Sequence, residues 1–149
     1  MMETKEKLEL ALIDALKAED DVRKRTIRMV KAAVRQIEID KQTTLDEAAV
    51  LSVIQREIKT RKEDVEEARR ANRPDLIADT EAEINVLQAY LPQALSEEEL
   101  NDLVREAIAE TGATTPADMG KVMKLLLPRV GARAPGNLVS TSVRQLLQK

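Results

Sequence analysis

The chain has no cysteine, histidine, phenylalanine or tryptophan among its 149 residues, and it has a single tyrosine. Without cysteine there is no disulfide framework, no thiolate nucleophile and no cysteine metal site. Without histidine, the commonest general base and most zinc ligand sets are missing. One aromatic side chain cannot form the stacking platform typical of proteins that bind single strands. The sequence therefore predicts no metal site, no cofactor site and no catalytic residue.

Turn-forming residues are also scarce, since the chain contains four glycines and five prolines. This predicts long helices with few connections around an aliphatic core. No apolar run approaches the roughly 20 residues of a membrane-spanning helix, and the charged segment 1–6 lacks the apolar stretch of a secretory signal. With 34% charged residues and no cysteine, we expect a cytoplasmic protein that does not enter a membrane.

Charge is unevenly distributed along the chain. The net charge is −3, so the molecule as a whole is not a basic nucleic-acid binder. Residues 94–112 carry six acids and one base, whereas residues 113–149 carry one acid and six bases, including Lys149. The C-terminal end is therefore the part of the chain best suited to an anionic partner.

Apolar residues recur at helical spacing, which predicts an all-α protein. In the first part of the chain we expect helices over about residues 4–18, 21–40, 44–72 and 74–90. The second is capped by the acids at 19–21, the third by a capping box of Thr44 and Glu47, and the fourth begins at Pro74. The last two carry heptad-like repeats and form a long antiparallel hairpin.

A second group of helices is predicted after Tyr90-Leu91-Pro92. The expected elements are a helix from a capping box at 96–99 to Gly112, a helix over 116–127 ended by Pro128, a basic connection over 129–137 and a last helix over 138–147. The chain is thus divided into an N-terminal helical bundle, residues 1–93, and a C-terminal three-helix module, residues 94–149.

Six cations and no acid occur between Val22 and Ile37 in the second predicted helix. At about 100° per residue, four of them share one stripe: Lys24, Arg28, Lys31 and Arg35. Such a row can hold phosphate or an acidic partner. The alternative is a solvated face that pairs with acids of a neighbouring helix, such as Glu63, Glu66 and Glu67.

A second basic set surrounds the glycine-bearing segments 118–120 and 131–136. Its members are Lys121, Lys124, Arg129, Arg133 and Arg144. Glycine in a basic loop allows the backbone to approach phosphate closely, although the pattern of a P-loop is absent. The alternative is an ordinary cationic surface beside the acidic helix of residues 97–110.

Arg61 occupies an apolar position of the heptad in the third predicted helix. A guanidinium group in a core position must be paired or must reach solvent along its aliphatic stem. Glu57, Glu81 and Glu83 are the candidate partners, and we interpret Arg61 as a structural residue.

Several motifs together resemble the GatB/YqeY family over essentially the whole chain. They are Val22-Arg23 with Thr26-Ile27-Arg28-Met29, Arg61-Lys62-Glu63, Glu81-Ala82-Glu83, Tyr90-Leu91-Pro92 followed by Leu95-Ser96-Glu97, and Asp118-Met119-Gly120-Lys121-Val122-Met123. Members are stand-alone relatives of the tail of the B subunit of the tRNA-dependent amidotransferase. The resemblance implies an N-terminal bundle and a three-helix tail module, and in the amidotransferase the related tail helps to hold tRNA.

The loop before the last helix departs from the family pattern. The family often has Lys-Gly-Arg-Ala-Asp-Gly there, whereas residues 131–136 of this chain read Gly-Ala-Arg-Ala-Pro-Gly. Because aspartate is a good N-cap and proline is not, the last helix either starts elsewhere or relies on Asn137.

The sequence is compatible with three functions. The first is a non-catalytic module that binds tRNA or another structured RNA through backbone and shape contacts. The second, implied by the family label alone, is an amidotransferase-type carbon–nitrogen ligase with glutamine as amido-N-donor, or an accessory of such an enzyme. The third is an adaptor that docks a protein partner along the hairpin of residues 45–91.

Overall fold

The computed structural model describes residues 2–148, and Lys149 lies outside them. This range contains helices and no strand, which confirms the predicted all-α class. The helices are α1 (Thr4–Lys17), α2 (Asp21–Lys41), α3 (Glu47–Arg70), α4 (Pro74–Gln88), α5 (Glu97–Thr111), α6 (Met119–Val130) and α7 (Gly136–Leu147), with short 3-10 segments at Pro116–Asp118 and Gly131–Arg133. The chain divides after Leu91 into two compact units, called here the N-terminal bundle and the C-terminal module. The predicted division into a bundle of residues 1–93 and a module of residues 94–149 stays a prediction.

The N-terminal bundle packs α1 to α4 around an aliphatic core. Leu8, Ile27, Ile54 and Leu87 are among its fully buried side chains. The α3–α4 hairpin provides the most extensive helix–helix contact in the bundle, as its heptad pattern predicts. Asn72 closes the turn with φ of 54°, a left-handed conformation that asparagine tolerates better than most residues.

The start of α3 differs from the prediction. Thr44 and Glu47 do not form the expected capping box, because Asp46 is the N-cap and accepts a hydrogen bond from the Ala49 N–H at 2.9 Å. The Glu47 carboxylate turns to α1 instead, where it accepts from the Thr4 N–H at 2.9 Å and from the Thr4 hydroxyl. One acid thus caps its own helix, while the next satisfies the free donors of another helix.

The C-terminal module packs α5, α6 and α7 against one another. Val104, Val122, Leu126 and Val143 are fully buried in its core. The predicted capping box at the start of α5 is present, with both reciprocal hydrogen bonds between residues 96 and 99. Gly112 ends α5 with φ of 70°, which a residue with a side chain adopts only with strain.

Pro128 does not end α6, contrary to the prediction. The helix continues to Val130, which is 1% exposed and lies one turn after the buried Leu126. Proline removes the hydrogen bond to the carbonyl group of Lys124, four residues earlier. Both residues lie on the exposed side of the helix, where water can satisfy that carbonyl group, so the burial of Val130 is retained at low cost.

The connection before α7 is correspondingly shorter than expected. Instead of covering residues 129–137, it is limited to residues 131–135, and α7 begins at Gly136 rather than at residue 138. Pro135 is the N-cap without a side-chain hydrogen bond, so Asn137 does not replace the missing aspartate. The Leu95 N–H donates to the carbonyl group of Arg133 at 2.9 Å and ties the connection to the segment before α5.

Candidate nucleic-acid interface

The cationic stripe of α2 is partly neutralised by acids on α1 and on α2 itself. Lys24 lies 3.3 Å from Asp21, and Lys31 lies 2.5 Å from Glu9. Arg28 and Arg35 are exposed and make no ion pair among residues 2–148. The pairing with a neighbouring helix comes from Glu9 of α1, and not from the examples Glu63, Glu66 and Glu67 on α3.

A shallow cavity of about 520 Å³ runs along the groove between α1 and α2. Its charged lining alternates in sign, since Lys5 pairs with Glu38 and Lys31 pairs with Glu9. The hydrogen bond from Lys5, together with the Leu45 N–H, holds the pKa of the Glu38 carboxyl below its ordinary value. The groove is electrically balanced and is not a strong anion site.

Arg129 of the C-terminal module is engaged with α5. Its guanidinium group donates two hydrogen bonds to Glu110, one of them at 3.1 Å between Nη2 and Oε1. This contact raises the pKa of Arg129 and lowers the pKa of Glu110. A bidentate pair of this kind positions both side chains, so Arg129 acts mainly as a link between α6 and α5.

Arg133 is also committed to an intramolecular role. Its Nη2 donates to the carbonyl group of Arg129 at 2.7 Å, and its Nε donates to the carbonyl group of Val130 at 3.4 Å. These carbonyl groups belong to the last turn of α6, where a cation is favourable. Arg133 therefore satisfies two carbonyl groups at the C-terminal end of α6.

Lys121 and Lys124 lie on the solvent face of α6, opposite the side chains that enter the core. The Lys121 side chain is 71% exposed and its ammonium group lies 4.0 Å from Asp118. Lys124 is exposed and makes no ion pair within the described part of the chain, and the same holds for Arg144 on α7. Three of the five predicted C-terminal cations are thus available to an anionic partner.

Arg61 is buried among α2, α3 and α4, and the pairing predicted for it is present. Its side chain is 7% exposed and lies 3.2 Å from Glu57 and 3.5 Å from Glu83. Its Nη2 also contacts the Met29 sulfur at 3.6 Å, and Arg25 approaches Glu83 to 4.0 Å. The Arg61 Nε has no hydrogen-bond partner. The contacts that Arg25 and Met29 of α2 make with this cluster were not predicted from the sequence. The two residues lie one turn apart on the same helix, a spacing that could have indicated a shared contact.

The family model described as Yqey-like protein matches residues 5–147 of the chain. The chain belongs to the YqeY-like family. This YqeY-like chain is also similar to curated fungal proteins named "Altered inheritance of mitochondria protein 41, mitochondrial". The Lachancea thermotolerans protein is 36% identical over 69% of this chain and 57% of its own length, and the Pyrenophora tritici-repentis protein is 29% identical over 83% and 71%.

These relatives correct one expectation. The predicted cytoplasmic location is wrong on this comparison, because the relatives are named as mitochondrial proteins. The YqeY-like chain spans little more than half the length of the Lachancea protein and of a third relative, from Vanderwaltozyma polyspora, at 57% and 56%.

Within residues 2–148, no group of three or more His, Cys, Asp or Glu side chains could hold a metal ion. In the same range, every helix is too short or too polar to cross a membrane.

Three carboxyl groups of the C-terminal module have pKa values below their ordinary range. The backbone N–H groups of Thr114 and Thr115 lower the pKa of Asp118. The Ser96 N–H lowers the pKa of Glu99, and Arg129 acts similarly on Glu110. A carboxyl group with a depressed folded pKa stabilises the fold above its unfolded pKa, and this stabilisation is lost as pH falls through the folded pKa.

Acid should therefore destabilise the C-terminal module, with a loss that begins below about pH 4, near the unfolded pKa of these groups. Asp118→Asn keeps an oxygen that can accept the two N–H bonds but removes the titration. We expect this variant to show a shallower loss of stability with acid than the parent. Urea unfolding followed by circular dichroism at neutral and acidic pH measures the difference, and identical pH dependence in both proteins would contradict the assignment.

Proposed function

We propose that this YqeY-like protein is a non-catalytic module that binds the phosphate backbone of structured RNA, with tRNA as the first candidate. The observation that carries the proposal is the set of exposed cations on the C-terminal module: Lys124 and Arg144 make no ion pair among the described residues, and the 71% exposed Lys121 has only Asp118, at 4.0 Å. The resemblance to the tail of the amidotransferase B subunit supports tRNA over other anions. Arg28 and Arg35 on α2 are secondary candidates.

The chemistry of these side chains indicates how such an RNA would be recognised. The lysine ammonium group is a compact point charge suited to phosphate, and contacts to phosphate do not distinguish one base from another. The single tyrosine offers no platform for splayed bases. Binding should therefore follow the shape and backbone of a folded RNA, and should weaken steeply as salt is added.

The test is a tRNA titration over a series of salt concentrations with the Lys121→Ala/Lys124→Ala variant. Each phosphate contact contributes roughly 0.7 to 0.9 to the slope of log affinity against log salt, so losing two should make the slope shallower by about 1.4 to 1.8. Affinity at low salt should fall in parallel. Absence of tRNA binding by the parent protein at low salt would refute the proposal.

A matched control is Lys59→Ala/Lys62→Ala on α3. These two lysines have the same three-residue spacing and are exposed, but Glu63 and Glu66 follow them on the same helix. The control removes the same charge from an acidic neighbourhood and should leave the slope nearly unchanged. An equal effect of both variants would show that only net charge matters, which contradicts an interface on the C-terminal module.

A further inference from the structure

Helix α1 carries an apolar row on its solvent side. Leu10, Ile13 and Leu16 are 53%, 49% and 46% exposed and are spaced three residues apart. The other large exposed apolar residues in the described helices do not form such a row: Met29, Ile39, Leu76, Leu127 and Leu138. Single exposed apolar residues are ordinary, whereas a contiguous group marks a contact surface.

This row is separate from the core face of α1. Leu8 and Ala15 are buried against the bundle, and at about 100° per residue Ile13 lies about 140° around the helix from Leu8 and about 160° from Ala15. Leu16 follows Leu8 by eight residues, a spacing typical of one helix face, but the structure leaves it exposed. The helix is thus apolar on two sides, of which the bundle covers one.

The charges at the two ends of the row are of opposite sign. Glu6 lies on the outer side one turn before Leu10, and Lys17 lies beside Leu16. Both are exposed, and neither makes an ion pair within the part of the chain that the structure describes. Glu9 also lies on this face, but it is paired with Lys31 of α2. The unpaired charges of the face are therefore an acid before the apolar row and a base at its C-terminal end.

We propose that this face, defined by Leu10, Ile13 and Leu16, binds a second copy of the chain with the two α1 helices antiparallel. Antiparallel packing about a twofold axis at Ile13 brings the two Ile13 side chains together and places Leu10 of each copy level with Leu16 of the other along the helix axes. Glu6 then lies within about 4.5 Å along the axis of the other copy's Lys17, on the same side of the seam. Parallel packing would instead place like charges together, so the charge order favours the antiparallel twofold pair.

Three apolar side chains make a small contact, so we expect a reversible dimer rather than a permanent one. Sedimentation velocity of the full chain, from micromolar to near-millimolar concentration, should show a monomer that shifts to a dimer. Ile13→Asp should remove the shift, and Leu138→Asp, at a residue of similar exposure on α7, should retain it. A parent protein that stays monomeric throughout this range would overturn the proposal.

Charge reversal tests the orientation. Glu6→Lys alone and Lys17→Glu alone should each weaken self-association about tenfold, because both symmetry-related pairs become repulsive. The double variant restores opposite charges and should recover most of the parent affinity. A dimer that is unaffected by these changes uses another face or another orientation, and either result would refute the model of antiparallel α1 pairing.

The absence of cysteine from the chain allows a direct distance test. Ile13→Cys places a thiol close to the twofold axis, so mild oxidation should link two chains efficiently. Leu138→Cys is the exposed control and should be linked only slowly. Equal linking of the two variants would indicate random collision and would contradict the proposal. Circular dichroism of each variant confirms that the helices are intact.

Discussion

Replacing Glu83 with alanine should destabilise the N-terminal bundle by about 3 kcal/mol, whereas Arg61→Met should change its stability by less than about 1 kcal/mol. The Arg61 side chain is 7% exposed and that of Glu83 is 15% exposed. Removing the acid leaves a buried cation with Glu57 alone, at 3.2 Å. Removing the cation leaves two acids that are nearer to solvent, and the thioether chain of methionine fills much of the vacated space.

The two substitutions should also be strongly coupled. In the double variant Glu83→Ala/Arg61→Met no buried charge is left unpaired, so its loss of stability should be well below that of Glu83→Ala alone. The unpaired Arg61 Nε supports this asymmetry, because the guanidinium group is incompletely compensated even in the parent. A buried ion pair of this kind orders three helices without contributing much net stability.

Urea unfolding measured by the fluorescence of Tyr90 follows this bundle, since Tyr90 is the only aromatic residue and packs against the bundle core. Glu81→Ala is the matched control, because this acid lies two residues earlier on α4 and is exposed. The control should shift stability by less than about 0.5 kcal/mol. If Glu81→Ala and Glu83→Ala have the same effect, or if Arg61→Met is the most damaging change, the interpretation is wrong.

Leu126→Ala should unfold the C-terminal module while leaving the N-terminal bundle folded. Leu126 is fully buried between α5, α6 and α7, and truncating a buried leucine costs about 2–5 kcal/mol. A module of under about 60 residues has little stability to lose. The expected result is loss of about a third of the helical signal, the share of α5 to α7, with an unchanged Tyr90 transition.

Leu127→Ala is the control, because this neighbouring leucine is 44% exposed and its truncation should have little effect on either signal. Two separate unfolding transitions in the parent protein would agree with the proposed domain division. Simultaneous loss of the helical and tyrosine signals in Leu126→Ala would show that the two units unfold together and would contradict it.

The features predicted correctly from the sequence rest on local physics. The hairpin follows from a heptad pattern over α3 and α4, and the cap of α5 follows from Ser96 and Glu99 at the required spacing. Gly112 ends α5 because it adopts a positive φ without strain. Arg61 was identified as a buried cation because one charge interrupts an apolar repeat.

The candidate RNA-binding residues show where local signals are insufficient. The sequence groups five C-terminal cations, but the fold pairs Arg129 with Glu110, 19 residues earlier in the chain, and directs Arg133 to the end of α6. Which cations are neutralised depends on which helices become neighbours. That information is absent from the spacing along one helix.

By itself, the sequence determined the helical class, most helix ends, the aliphatic core and the uneven distribution of charge, because these depend on residue type and short-range periodicity. Only the tertiary structure decided that Glu47 caps α1, that α6 passes Pro128, and that Leu16 faces outward. Each of these outcomes balances a local preference against burial or pairing with a distant segment. The exposed cations of the C-terminal module and the exposed apolar row of α1 likewise depend on tertiary structure, because helix packing decides which side chains are paired or buried.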